Sequence, residues 1–154
     1  MLETREQMLE KRDRLRRWIR SPRPESSANG VNHIAVYAKD LEATAAFYSE
    51  VMGMPLIEVI DNRDVPESTH MNVNVGKGMM LSFFDFPHVP RLRRRAPEGV
   101  GNVMHIAIEM AEHRVAEMKS RLDSKGIGYQ EIGGSIYLKD PNGLGIELLP
   151  IRGR

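Results

Sequence analysis

The sequence predicts an α+β fold: two similar βαβββ modules whose sheets face a shared cleft, preceded by a separate N-terminal helix. Three observations carry this expectation. First, Val31–Tyr37, "VNHIAVY", and Val103–Glu109, "VMHIAIE", are short β-rich runs with a histidine at the same place followed by Ile-Ala. Second, each run leads into a helical pattern, "DLEATAAFYSEVM" at Asp40–Met52 and "AEHRVAEMKSRLDS" at Ala111–Ser124. Third, each helical pattern is followed by three strand-like segments: "PLIEVI", "HMNVNVG" and "MMLSFFDF", then "GYQEI", "SIYL" and "GIELL".

The elements follow in order. Residues Met1–Arg20, "MLETREQMLEKRDRLRRWIR", are rich in strong helix formers and contain no Gly or Pro, with a partial apolar stripe at Met8, Leu15, Trp18 and Ile19. "SPRPESSANG" follows and reads as a linker by its Pro, Ser and Gly content. Residues 1–29 are therefore expected to form a helix and linker outside the main domain, docked on that domain or on another subunit. Residues 30–154 form the domain, with modules at about 31–87 and 101–150. Asp40 is a suitable N-cap for the first module's helix, and Gly53 and Gly126 stand where C-cap glycines are expected. "PHVPRLRRRAPEGVG" joins the modules.

Bulk properties narrow the function classes. A chain of 154 residues with 41% apolar and 28% charged residues can bury one real core. A net charge of +1 gives no reason to expect nucleic acid or an anionic membrane, and acidic residues interleave the arginines of the N-terminal helix. There are no cysteines, so any metal must be held by His, Asp or Glu. No apolar run approaches the roughly 18 residues of a membrane span, and the basic N-terminus lacks an apolar signal core. A soluble cytoplasmic protein is expected.

Chemistry concentrates on a few residues. In "SIYLKDPNGLGIELLP", Glu147 is a lone carboxylate in an apolar strand, which is costly unless a positive group meets it. Side chains alternate faces along a strand, so His33 and His105 occupy equivalent faces of equivalent strands, and pseudo-twofold packing of the modules would bring them together. Two histidines and one carboxylate make a facial triad, which holds a divalent metal and leaves positions open. The plainer reading makes the two histidines satisfied core residues. In "THMNVNVG", His70, Asn72 and Asn74 share a polar face, and Met71, Val73 and Val75 share an apolar one. If the polar face lines the cleft, His70 points toward the open positions, and its pKa suits proton transfer; otherwise it faces solvent. His88 and His113 are expected to be exposed. The Arg91–Arg95 run is either a solvated loop or a grip for a substrate carboxylate. Met79, Met80, Phe83, Phe84 and Phe86 are candidates for core or pocket wall.

The paired modules, the "NHIAV" and "MHIAI" starts and "YLKDPNGLGIEL" resemble the vicinal oxygen chelate superfamily over about Val31–Pro150. That superfamily includes glyoxalases, methylmalonyl-CoA epimerases, fosfomycin-resistance transferases, bleomycin-binding proteins and extradiol dioxygenases. The resemblance implies mixed sheets around a metal-binding cleft and a homodimer. It implies His33, His105 and Glu147 as metal ligands. Ser82 stands where glyoxalase-like and epimerase-like members have Glu or Gln, and Asp85, three residues on, points to the opposite face of an unbroken strand. Three ligands suit Fe(II), with Mn(II) also compatible. The resemblance is closest to single-domain extradiol dioxygenases, which cleave a small catechol-like aromatic substrate with O2. It implies His70 as acid–base catalyst and Tyr137, ten positions before Glu147, as hydrogen-bond donor to the substrate. The sequence departs from fosfomycin transferases at Ala35, where they have threonine. It departs from dioxygenases in lacking a histidine in "GYQEIGGSIY". An oxygen-independent isomerase or transferase, and a small-molecule binding or resistance protein, are the alternatives.

Overall fold

The computed structural model describes residues 4–22, 24–90 and 99–151. The chain divides into two compact units, Met1–Gly30 and Val31–Arg154. The first holds helix α1, Arg5–Arg16, which ends four residues before the helical sequence pattern does at Arg20. Thr4 caps it and forms a reciprocal capping box with Gln7. Leu15, Trp18 and Ile19 are exposed.

The second unit has two four-stranded mixed sheets with equivalent topology. In the first, β1 (His33–Tyr37), β2 (Leu56–Asp61), β3 (Thr69–Gly76) and β4 (Met79–Phe84) lie in the order β1-β4-β3-β2. In the second, β5 (Ile106–Ala111), β6 (Tyr129–Ile132), β7 (Ser135–Lys139) and β8 (Gly145–Ile151) lie in the order β5-β8-β7-β6. The first strand of each module pairs parallel with the last, and the other pairings are antiparallel. This is the α+β, two-module architecture that the duplicated sequence pattern predicts.

Helix α3 spans Glu112–Ser124 and buries Val115, Met118 and Leu122, one face at helical spacing. The first module's helix differs from expectation. α2 covers only Leu41–Ala46, capped by the Asp40 side chain on Ala43 N–H, and Phe47–Val51 then widens into a π-helical turn. Met52 N–H bonds to Phe47 O, five residues back, at 3.0 Å. The wider turn places Phe47, Tyr48 and Val51 all in the core.

One face of each sheet builds a common core: Met71, Val73, Leu81 and Phe83 from the first, Ile106, Ile108, Ile136, Leu138, Ile146 and Leu148 from the second. Polar contacts join the modules at the turn that starts with Asp140. The buried Tyr48 hydroxyl donates to Asp140 Oδ2 at 3.2 Å. Asn142 accepts from Lys39 N–H at 2.8 Å and donates to Thr44 Oγ1 at 3.1 Å. Asp140 Oδ1 also takes the N–H groups of Asn142 and Leu144. Arg121 adds a bond from Nη1 to Val51 O at 2.9 Å. Among the described residues, no helix is long and apolar enough to cross a membrane.

Burial raises the Asp140 carboxyl above the ordinary carboxylate range, against the hydrogen bonds that lower it. The same burial, with Asp140 beside it, pushes the Tyr48 phenol far up. A raised folded-state pKa stabilises the fold below the unfolded pKa, and that contribution disappears as pH rises through the folded value. Urea unfolding across the acid range should therefore show stability falling with rising pH from this group, and Asp140→Asn should lack that component. Tyr48→Phe should cost about 1–2 kcal/mol in the same measurement, the worth of a hydrogen bond to a charged or buried acceptor.

Candidate metal site and its surroundings

The strand pairings fix which side chains share a rung. In the second module Ala107 pairs with Glu147, and Tyr137 pairs with Glu147 from the other side. In the first module Ala35 pairs with Ser82, and Asn72 pairs with Ser82. The modules are thus in equivalent register, with Ser82 at the position of Glu147 and Asn72 at the position of Tyr137. His33 and His105 each stand two residues before the alanine of this rung.

The second module gathers a donor pair. His105 Nε2 lies 3.0 Å from Glu147 Oε2. Glu147 is 8% exposed, so the carboxylate in the apolar strand does meet a partner. The Tyr137 hydroxyl donates to Glu147, and this bond is the largest influence holding the carboxyl below its ordinary range; burial opposes it, and Ser135 and His105 assist it. The same bond leads the causes that push the Tyr137 phenol up. The Tyr137 ring meets the His105 imidazole edge-on, with centroids 5.5 Å apart.

These two residues fit a divalent metal. Two donors each about 2.1 Å from one ion and at right angles to each other lie about 3.0 Å apart, the separation seen between His105 and Glu147. Nitrogen and carboxylate oxygen donors without thiolate suit Fe(II) or Mn(II). The third expected ligand, His33, sits on an exposed face with Nδ1 2.8 Å from Asn32 Oδ1. Among the described residues, no three His, Asp or Glu side chains of one chain are gathered closely enough to hold a metal. Packing of the modules through their helices and the Asp140 turn leaves the two histidine faces outside the common core.

His70 belongs to a polar network on the first module's histidine face. Ser82 Oγ donates to Asn72 Oδ1 at 2.6 Å, and Asn72 Nδ2 donates to Glu58 Oε2 at 2.6 Å. Asn72 Oδ1 is therefore an acceptor, and His70 Nε2, 3.0 Å away, carries the hydrogen that it receives. Nδ1 of a neutral His70 is then left as proton acceptor. The ring stacks on Phe84 at a centroid distance of 4.3 Å, and Phe84 lies parallel to Phe86 at 5.5 Å. Phe84 and Phe86 are half-buried wall residues, whereas Phe83 is core. Asp85 lies off the site and accepts from Thr69 N–H at 2.7 Å. His88 and His113 are exposed, and the Arg91–Arg95 run lies outside the described residues.

Two residues of this region were not singled out by sequence reasoning. Gly145 pairs with Lys139, and a Cβ at Gly145 would lie 2.6 Å from Met104 O, 2.9 Å from Lys139 Nζ and 3.0 Å from His105 Cβ. The second glycine of "NGLGIELL" was the available signal, since a glycine inside a strand marks close approach of another backbone. Gly145→Ala should force the start of β5 away from β8 and cost about 1–3 kcal/mol by overpacking. Calorimetric metal titration should show weaker binding in this variant, because His105 moves with Met104.

Comparison with known proteins places this geometry. A model of the Glyoxalase/Bleomycin resistance protein/Dioxygenase superfamily matches residues 30–148. Over 105 residues the chain is 26% identical to MhqE of Bacillus subtilis (strain 168), a protein named for ring-cleaving dioxygenase activity, covering 66% of this chain and 33% of that one. Over 125 residues it is 29% identical to a lactoylglutathione lyase of Arabidopsis thaliana, covering 76% of this chain and 42% of that one. The chain thus spans less than half the length of either relative. Among solved structures, a glyoxalase/dioxygenase from Nostoc punctiforme matches with a TM-score of 0.64 at 18% identity, covering 84% of this chain and 96% of that one. The fosfomycin resistance protein FosX of Listeria monocytogenes, complexed with Mn(II) and sulfate, matches with a TM-score of 0.61 at 22% identity, covering 81% and 94%. At these identities the structural likeness is one of fold. The family match over most of the chain and the duplicated module lead to one conclusion: the chain belongs to the glyoxalase/bleomycin resistance protein/dioxygenase superfamily.

Proposed function

We propose that this protein is an Fe(II)-dependent extradiol ring-cleaving dioxygenase acting on a small catechol-like substrate with O2. The observation that carries this reading is the register equivalence of Ser82 and Glu147. The first module offers a histidine but a hydroxyl where the second offers a carboxylate. The donor set is then His33, His105 and Glu147, which leaves positions for two substrate oxygens and dioxygen. Bound iron would supply the electron transfer that lets ground-state dioxygen react with the ring.

The chain's own groups do the rest. His70 Nδ1 accepts a catechol proton while Nε2–H stays anchored on Asn72, and it returns a proton as the ring opens. The Tyr137 hydroxyl, which donates to Glu147, can turn that one hydrogen to a substrate oxygen arriving beside the carboxylate. Phe84 and Phe86 offer a flat wall next to His70.

Each site is completed by a second copy of the chain. In one chain the three ligands do not come together. Both histidine faces also leave apolar side chains in water, among them Tyr37 at 62% and Ile132 at 59% exposure. Packing these faces together between two copies would bury them and bring His33 of one copy to the His105–Glu147 pair of the other.

A second reading, an oxygen-independent metal-dependent isomerase or transferase, is supported by the similarity to a lactoylglutathione lyase. The purified chain, loaded anaerobically with Fe(II), should consume O2 with a catechol and release a yellow ring-fission product. Absence of O2 uptake across a catechol panel would overturn the dioxygenase reading. His70→Phe should retain iron by metal analysis and lose turnover by about 100-fold or more, the scale of general acid–base catalysis.

The shared site has its own test. His33→Ala and Glu147→Gln should each be inactive alone. Mixed under subunit exchange, they should regain activity, because a heterodimer rebuilds one intact site. No recovery in mixtures shown to contain heterodimers would mean that each chain forms its own site.

A further inference from the structure

The network around His70 runs in one direction, and one residue imposes it. Asn72, Ser82 and a neutral His70 can each donate or accept, so the bonds among them would be satisfied in either sense. Glu58 has no such freedom. A carboxylate only accepts, so Asn72 must turn Nδ2 toward Glu58 Oε2, 2.6 Å away. Asn72 Oδ1 then faces Ser82 Oγ at 2.6 Å and His70 Nε2 at 3.0 Å, and both must give it a hydrogen. Asn72 and Ser82 are buried, and a reversed amide would set oxygen against the carboxylate, a mismatch that burial makes costly.

The backbone delivers this carboxylate by an irregularity in the edge strand β2. Leu56 stands opposite Val73, so unbroken antiparallel pairing would put Ile57 opposite Asn72 and Glu58 opposite the buried Met71. Instead the register shifts by one residue between Leu56 and Glu58, so that Glu58 stands opposite Asn72 and Ile60 opposite His70. A bulge of this kind re-aims a side chain, and here it turns Glu58 from the core side of the sheet to the histidine side. The stack of His70 on Phe84, its cross-strand neighbour, fixes the plane of the ring. That plane and the Nε2 bond together aim the Nδ1 lone pair.

We propose that Glu58 is the positioning residue for His70: its carboxylate, delivered by the bulge in β2, fixes the amide of Asn72 and through it the ring nitrogen at which His70 takes a proton. The inference rests on the reading of His70 as acceptor of a substrate proton. Glu58 touches no reacting atom. It acts through two hydrogen bonds, by disfavouring the tautomer that carries its hydrogen on Nδ1 and offers no base there.

The test reads the tautomer by nitrogen NMR of the full chain, isotope-labelled at histidine, loaded with diamagnetic Zn(II) and held at a pH where imidazole is neutral. His70→Phe identifies the His70 signals. The wild-type ring should carry its hydrogen on Nε2 alone. Glu58→Gln keeps the shape but can give or take a hydrogen, so both senses of the network are satisfied and the Nδ1–H form should appear. Adding Asn72→Asp to Glu58→Gln exchanges donor and acceptor between the two positions and should return the ring to Nε2–H, a rescue that a merely structural role would not give. In the Fe(II)-loaded chain with a catechol, kcat of Glu58→Gln should fall about tenfold with KM nearly unchanged, as when about one ring in ten keeps the competent form. An Nδ1–H form in the wild type, its absence in Glu58→Gln, or no return in the folded double variant would overturn the proposal. The expected tautomers in a chain without oxygen uptake retain the role of Glu58 and overturn the dioxygenase reading. Oxygen uptake with an unchanged tautomer in Glu58→Gln does the reverse.

Discussion

The contact on which the rest of this domain depends is the buried bond between Tyr48 and Asp140, with Asn142 on Thr44 and Lys39 beside it. It fastens the turn of the β7–β8 hairpin to the helix of the other module. That hairpin carries Tyr137, Lys139, Gly145 and Glu147. The rung that presents Glu147 is therefore aligned by a contact whose far end lies in the first module. Burial also holds the carboxyl of this clasp above the ordinary carboxylate range, so the module junction responds to pH.

Equivalent register in the two sheets shows how one scaffold serves unlike tasks. At matched positions the second module has Glu147 and Tyr137, and the first has Ser82 and Asn72. The first pair is a charged donor set. The second is neutral, tied to Glu58, and closed around His70. Backbone pairing thus conserves geometry while side chains divide the work: one sheet is suited to hold an ion, the other to hold an imidazole in a single tautomer.

Much of this was legible in the sequence because period-two alternation reports faces directly. "HMNVNVG" separates Met71 and Val73, buried as expected, from His70 and Asn74, half-buried on the other side. Asp40 as a cap and the Ser82–Glu147 correspondence follow from the same local rules. Alternation does not say which faces meet. Bringing His33 to His105 within one chain was inferred from symmetry alone, and the packing follows instead from the helices and the Asp140 turn. Nor does local propensity distinguish an α-helix from one that widens at Phe47, since both need the same residue types. Asn72 was legible as polar and facing the site; its burial depends on Glu58 and Ser82 arriving from neighbouring strands.

The widened turn at Phe47–Val51 carries a consequence for how this chain can vary. A π-helical turn holds one residue more than an α-helical turn would over the same ladder, and here that residue brings Tyr48 round to Asp140. Sequence length in this segment is therefore part of the structure. The exposed Glu50 can exchange freely, whereas Ser49 Oγ accepts from Leu56 N–H at 3.4 Å, and loss of a single residue would rotate everything before it by about a third of a turn relative to everything after. Natural variation in this stretch should therefore appear as substitution at constant spacing between Asp40 and Gly53, and not as insertion or deletion.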